Sequence, residues 1–441
     1  MPPLDFEILH RSPEGHARVG RVTTPHGSFD TPAFMPVGTQ AAIKGLLPRD
    51  VAGTGSQIIL GNTYHLMLRP GSSLIAEMGG LHQWMNWDGP ILTDSGGYQV
   101  FSLSDINHVT DEGVSFKSHL DGSTVDLTPE RSIRVQNELG ADIIMAFDDC
   151  PPAVDQEDGG PHGTGIGSRV RPKGTRVEPD GSSSFSDSSP PGARLSLSGS
   201  RIQQACERSV RWLDKCFDAH QRRQDQALFG IVQGGVELDR RTWCTERVLA
   251  HDLPGYAIGG VAVGEGFYQL KSVVEHTAVM LPETKPRYLM GVGYERDLLV
   301  AVRSGVDMFD CVLPTRNGRN SCAFTPGGQI RLKNAAYARD PSPIDPGCDC
   351  LACRGPSLWE TVDPYVASGP PGSSSGVSSS PFSRSYLRHL FLAGEMLGPI
   401  LVSIHNIRHF QRYLLDIRTA IVHNDWSSIT RKWPTSRPPE A

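Results

Sequence analysis

The sequence predicts an α/β fold, a TIM-like (β/α)8 barrel, on three observations. Short apolar runs alternate with helix-like segments, the signature of a parallel sheet buried on both faces. The runs end repeatedly on polar residues or glycine, as strands do where one face of a barrel carries chemistry. No GxGxxG follows the first strand, so an open dinucleotide-binding sheet lacks its mark.

The strand-like runs follow one another in order. "SQIILGN" ends on Asn62, "GPILTDS" on Asp94 and Ser95, and "ADIIMAFDD" on Asp148 and Asp149. "ALFGIVQGG" ends on Gln233, "GYAIGGVAVGE" carries Gly259 and Gly260, "RYLMGVG" ends on Gly291, and "VDMFDCV" delivers Asp310. Helix-like segments fall at 131–139, 201–223, 239–251, 268–281 and 295–304. Arg303 and Gly305 give the last of these a cation and a glycine stop.

At 441 residues the chain can bury one large core or two moderate ones. It has no run of about 18 apolar residues, so no membrane span is expected. Its N-terminus has no basic region followed by an apolar stretch, so a cytoplasmic protein is expected. Nine cysteines in that setting suggest reduced thiols or a metal rather than disulfides. A net charge of −6 argues against bulk electrostatic capture of nucleic acid but leaves room for a local basic patch. Two stretches, about 155–200 and 366–383, are rich in Gly, Ser and Pro and cannot bury enough surface to fold. They are expected as insertions in surface loops. The expected domains are a barrel at 1–333, a subdomain with closing helices at 334–421, and a tail at 422–441.

Three aspartates, Asp94, Asp148 and Asp310, close apolar runs. Paired carboxylates are what glycosidic cleavage needs, one as nucleophile and one as acid/base. Burial and mutual repulsion can separate their pKa values and so assign the roles. "PGCDCLACRG" places Cys348, Cys350 and Cys353 where they can wrap one tetrahedral ion, most naturally zinc. The fourth ligand is His389, His405 or His409, and spacing does not choose among them. A Cys3His site is closed, hence structural. Basic residues gather after Asp310: Arg316, Arg319, Arg331, Lys333, Arg339 and Arg354 form a candidate phosphate-tracking surface. Cys206, Cys216 and Cys244 fall in helical segments and are expected as packed thiols.

"DSGGYQVFSL", "MAFDDC", "LFGIVQGG", "GGVAVGEG", "YLMGVG", "MFDCVLPTRNGR", "CDCLAC" and "SIHN" together resemble the bacterial tRNA-guanine transglycosylases. The resemblance spans nearly the whole chain except the two low-complexity stretches. It implies a barrel with an inserted zinc-binding subdomain near the C-terminus. It also implies exchange of guanine at the anticodon wobble position for the queuosine precursor preQ1, through a covalent aspartyl-ribose intermediate. On this likeness Asp310 is the nucleophile and Asp94 the general acid/base, with Ser95 in the base pocket. Asp148, Gln233, Gly260 and Val261 bind the base, and Tyr98 and Met290 sandwich it. Arg316, Asn317, Gly318 and Arg319 lie near the anticodon loop. Cys348, Cys350, Cys353 and His405 hold one structural zinc per subunit. The implied partners are tRNAs for Asp, Asn, His and Tyr, guanine, preQ1, and a second copy of the chain in a homodimer.

The residue chemistry agrees. A carboxylate can accept both N1–H and the exocyclic amine of guanine, while an amide and a backbone N–H hold O6. Adenine reverses that pattern and leaves the groups unpaired. A base in a loop leaves its stack more easily than one in a duplex. Two positions depart from the family's usual pattern, Val261 for leucine and Asp149 for glutamate. Cys150 and Val263 are bulkier than their counterparts in members that take queuine, which favours preQ1, and Glu265 is placed to orient the adjoining peptide. A metal-dependent barrel hydrolase would show an HxH pair at a strand end, and a non-catalytic RNA-binding relative would have lost Asp94 or Asp310.

Overall fold

The computed structural model describes residues 2–103, 107–151, 199–355 and 381–439. The chain begins with an antiparallel sheet, β1 (Asp5–Arg11), β2 (Arg18–Thr24) and β3 (Gly27–Thr31). Then come β4 (Ala33–Gly38), α1 (Pro48–Gly53), β5 (Ile59–Gly61), α2 (Thr63–Leu68), α3 (Ser72–Glu77), α4 (Gly80–Met85), β6 (Ile91–Thr93) and α5 (Gly97–Leu103). An antiparallel excursion, β7 (Asn107–Val109), β8 (Val114–Lys117) and β9 (Thr124–Leu127), precedes α6 (Pro129–Leu139) and β10 (Ile143–Met145). The order continues with α7 (Gly199–Ala219), β11 (Ala227–Val232), α8 (Leu238–Val248), β12 (Gly255–Ile258), α9 (Phe267–Ala278), β13 (Arg287–Leu289), α10 (Glu295–Arg303), β14 (Met308–Cys311) and α11 (Leu313–Arg319). A hairpin, β15 (Cys322–Thr325) and β16 (Gly328–Arg331), leads to α12 (Leu351–Arg354), α13 (Arg384–Ala393), α14 (Leu397–His423) and α15 (Trp426–Lys432).

The expected barrel is present. Strands β4, β5, β6 and β10 to β14 pair in parallel, and β14 closes on β4 with Asp310 opposite Met35. Alternate side chains divide two cores, as strand geometry requires. Met35, Leu60, Leu92, Met145, Phe229, Ala257 and Met308 fill the barrel, while Phe34, Ile59, Ile91, Ile144, Leu228 and Phe309 pack under the helices. Leu4, Val22 and Phe29 join the inner core, so the N-terminal sheet plugs the end of the barrel from which the strands start. Strand β4 is absent from the apolar runs that suggested the fold. It contains Pro36, which lacks a ladder donor and argues against a central strand.

Helix boundaries differ from expectation in three places, one of them 268–281, where α9 ends at Ala278. The segment expected at 201–223 ends as a helix at Ala219, because Arg223 folds back to donate to the carbonyls of Phe217 and His220. The segment at 239–251 is α8 to Val248 followed by a 3-10 turn, Leu249–His251. Most of the two low-complexity stretches lies outside the described residues. The end of the first, Gly199 and Ser200, opens α7. The end of the second supplies Ser383, whose side chain accepts the Tyr386 N–H and caps α13.

Helix α14 ties the C-terminal part to the barrel. Phe410 stacks on Phe34 at 5.0 Å, and Gln411 donates to the Phe34 carbonyl at 2.9 Å. Asn406 donates to the carbonyls of Pro314 and Cys322 and accepts the Phe324 N–H, joining α11, β15 and α14. Among the described residues no helix is long and apolar enough to cross a membrane.

Candidate active site

Three neighbouring or facing strands deliver the carboxylates. Asp94 follows β6, Asp148 follows β10, and Asp310 lies in β14. Asp94 is buried. It accepts the Thr63 N–H at 2.8 Å, the Gln99 amide at 2.7 Å, and the Asn62 amide. Burial outweighs these donors and, with Asp310 nearby, pushes Asp94 up to about 6. A carboxyl group at that value can give and take a proton near neutral pH.

Asp148 is also buried, and burial likewise pushes it up to about 6, against the donors Gln233 and Ser95. The Ser95 hydroxyl donates to Oδ1 at 3.1 Å and the Gln233 amide to Oδ2 at 2.6 Å. Sequence reasoning assigns the Gln233 amide to a base oxygen. In this state one of its N–H groups is engaged with Asp148, and its buried Oε1 has no partner. Gly260 lies beside that amide with φ +65°, and an added Cβ would stand 2.2 Å from Oε1. The backbone conformation favours glycine there, and a side chain would displace the Gln233 amide.

Asp310 is half-buried. Its Oδ1 accepts the Tyr288 hydroxyl at 2.6 Å and the Gly291 N–H at 2.8 Å. Burial raises its pKa while these two donors lower it. The two donors converge on a single oxygen, which leaves Oδ2 to react. Tyr288 is an inward barrel residue. It and Gln99 were missed by sequence reasoning, and Asn62 was seen only as a polar strand end, because nothing in their spacing reveals what their side chains face.

The remaining expected residues take varied places. Tyr98 is exposed on the first turn of α5, Met290 is half-buried after β13, and Val261 is buried after β12. Glu265 accepts the N–H groups of Ala262 and Val263, the latter at 2.9 Å. Arg316, Asn317 and Arg319 lie half-buried on α11, directly after the strand that carries Asp310. Gly318 lies between them on the inner side of α11. It is buried against α14, where an added Cβ would stand 2.8 Å from the Ser403 nitrogen, so it lets the two helices pack closely. Arg331, Lys333, Arg339 and Arg354 are exposed, and Cys206, Cys216 and Cys244 are buried as packed thiols.

Cys348, Cys350, Cys353 and His405 converge, with ligand atoms all within 4.8 Å of one another and every residue buried. His405 Nε2 donates to the Phe324 carbonyl at 2.7 Å. Its Nδ1 lone pair therefore faces the thiols, 3.3 Å from Cys353 Sγ and 3.6 Å from Cys350 Sγ. His409 is bonded to Glu295 at 2.6 Å, and His389 stacks on Tyr386. The cluster fits a metal ion through His405. A second group, His26, His82 and Asp142, lies at the opposite end of the barrel. There the imidazoles stack at 3.5 Å and 12°, and His26 Nδ1 and His82 Nε2 each bond a different oxygen of Asp142, at 2.8 and 3.0 Å.

Comparison with known proteins gives a consistent result. The family model described as queuine tRNA-ribosyltransferase matches residues 13–159 and 188–439. The chain is 44% identical over 424 residues to a queuine tRNA-ribosyltransferase of Acetivibrio thermocellus, covering 96% of this chain and 95% of that protein. It is 44% identical over 437 residues to one from Thermus thermophilus, covering 99% and 95%. It is 42% identical over 421 residues to one from Staphylococcus aureus, covering 96% and 93%.

Proposed function

The chain belongs to the queuine tRNA-ribosyltransferase family, and on that premise we propose that it exchanges guanine at the wobble position of tRNA for preQ1 by a retaining double displacement. The observation that carries this reading is the state of Asp310, pinned through one oxygen by Tyr288 and Gly291 with the other oxygen unengaged by them.

In the first displacement Asp310 Oδ2 attacks ribose C1′ as the bond from C1′ to guanine N9 breaks. Asp94, poised at about 6, gives a proton to the departing base. In the second, the incoming base attacks C1′ from the face guanine left, Asp94 takes up its proton, and the ester to Asp310 breaks. Two inversions retain the configuration. Asp148, Gln233 and Gly260 read the base edge, Ser95 steadies Asp148, and Tyr98 and Met290 cover the base faces. Arg316, Asn317 and Arg319 hold the anticodon loop over Asp310.

The preference for preQ1 rests on Cys150, Val263 and Glu265. Glu265 draws the Ala262 N–H to itself, which turns the Val261 carbonyl the other way, toward an aminomethyl group on the base. Cys150 is buried and Val263 half-buried, leaving little room for a cyclopentenediol. Equal use of preQ1 and queuine by the purified protein would refute this preference. The Cys3His cluster is assigned one structural zinc per subunit, and it closes the fold without entering the chemistry. A homodimer is part of the same proposal, and a fully active monomer in sedimentation would count against it.

The decisive experiment incubates the protein with labelled guanine and unfractionated tRNA. Incorporation is expected, and Asp310→Asn should abolish both turnover and any denaturant-stable RNA adduct. No incorporation under any condition would sink the reading.

A further inference from the structure

Helix α7 grips the segment that carries Asp148. Phe147 donates its N–H to Cys216 Sγ at 3.3 Å, and its ring stacks on Trp212 at 4.8 Å. Asp149 donates its N–H to Ser209 Oγ at 3.0 Å. The Asp149 carboxylate is fully buried. Arg201 reaches it through both terminal nitrogens at 2.7 and 2.8 Å, and Arg208 adds a third contact. Positions 201, 208, 209, 212 and 216 recur at helical spacing, so one face of α7 supplies every contact. Residues 147 and 149 face the helix, while Asp148 between them faces Ser95 and Gln233.

From this geometry we propose that Asp149 is a positioning residue, which, clamped by Arg201 and Arg208, sets the orientation and charge state of the base-reading carboxylate Asp148. The inference rests on the proposed function. An aspartate side chain is one methylene shorter than glutamate, so two rigid guanidinium forks on it leave the segment little play.

The clamp has an electrical side. The charged and titratable groups that act on Asp148 or its segment are Asp149 and Cys150 on that segment, Cys216 of α7, Arg241 of α8 beside Cys150, and Arg201 and Arg208 of α7 on Asp149. The charge on Asp149 raises the Asp148 pKa, and the two arginines offset that charge. Removing Arg201 should expose Asp148 to more of the Asp149 field and move its pKa further upward. Arg201 is only partly buried, so its replacement should not prevent folding.

The test measures guanine exchange into tRNA against pH, together with calorimetric binding of guanine alone. In Arg201→Gln the KM for guanine should rise about tenfold, with KM for tRNA unchanged. The acid limb of kcat/KM should move upward by roughly half a pH unit. Arg201→Lys should restore the limb through its charge, and Arg208→Gln should repeat the Gln effect. An unmoved limb and a guanine KM within about twofold of the parent, in folded Arg201→Gln and Arg208→Gln, would overturn the proposal. Asp148→Asn separates the two readings. If it is inactive while the arginine variants behave as the parent, the clamp alone fails. If it exchanges guanine normally, Asp148 does not read the base, and the clamp fails with that assignment.

Discussion

Tyr288 and Gly291 bind the same oxygen of Asp310, so the tyrosine hydroxyl both aims the nucleophile and favours its ionised form against the opposing effect of burial. Tyr288→Phe should lower kcat by about tenfold and shift the acid limb of the rate profile upward, because a donor that lowers the Asp310 pKa is gone. A pH series of single-turnover rates checks this. Asp148 offers a test of sign. Its folded pKa of about 6 lies above the ordinary carboxylate value. Between these two values the folded chain holds a proton that the unfolded chain releases, so stability falls as pH rises through this window. Above it the buried charge costs about 2–3 kcal/mol. Asp148→Asn should therefore abolish exchange yet raise Tm by about 2–5 °C at pH 7.5, and by less near pH 4.5. The Gln233 Oε1 that lacks a partner can turn to accept from the new amide. At this scale the sequence was legible where a polar residue interrupts an apolar run, as at Asp94, Asp148 and Asp310. It was silent on Gln99, Tyr288 and Arg201, and on the partner of Asn62, whose roles depend on what lies opposite them in space.

Helices α11 and α14 meet at Gly318, where any side chain would press on the Ser403 backbone. Gly318→Val should cost about 1–3 kcal/mol and weaken tRNA binding more than guanine binding, since α11 carries Arg316 and Arg319. Thermal melts and separate binding titrations distinguish the two effects. The same helix, α14, carries His405. Zinc should copurify at one per chain, His405→Ala should lose it with a marked drop in stability, and His389→Ala should keep it. Zinc retained in His405→Ala and lost in His389→Ala would reverse the ligand assignment. The thiol trio was plain in the sequence because its ligands lie close together. The histidine was ambiguous because spacing says nothing of which helix, α13 or the 27-residue α14, or which of its turns faces the thiols. Strand β4 stayed hidden for a different reason, since Pro36 breaks the local pattern that the closed barrel tolerates.

The whole molecule is stapled at both ends of the chain. The N-terminal sheet plugs the barrel, and at the other end Trp433 is fully buried. Its ring packs on His409 and Tyr413, and its Nε1 donates to Asp416 at 2.8 Å. Residues 422–441 were expected only as a tail, because two tryptophans among mostly polar residues give no periodic signal. Removing residues 426–441 should lower stability by about 3 kcal/mol or more, measurable by urea denaturation. The barrel itself was legible as a whole because alternation and polar strand ends repeat many times. The seam between β14 and β4 has a consequence for synthesis. The two strands that meet there are nearly the first and last of the barrel to leave the ribosome. At about 5–20 residues per second, β4 waits tens of seconds for its partner. Until then the nascent chain carries an open parallel edge, and Asp310 does not yet exist to complete the site. A newborn chain of this protein is therefore both sticky and inert, and its need for chaperone cover should end when the last strand seats.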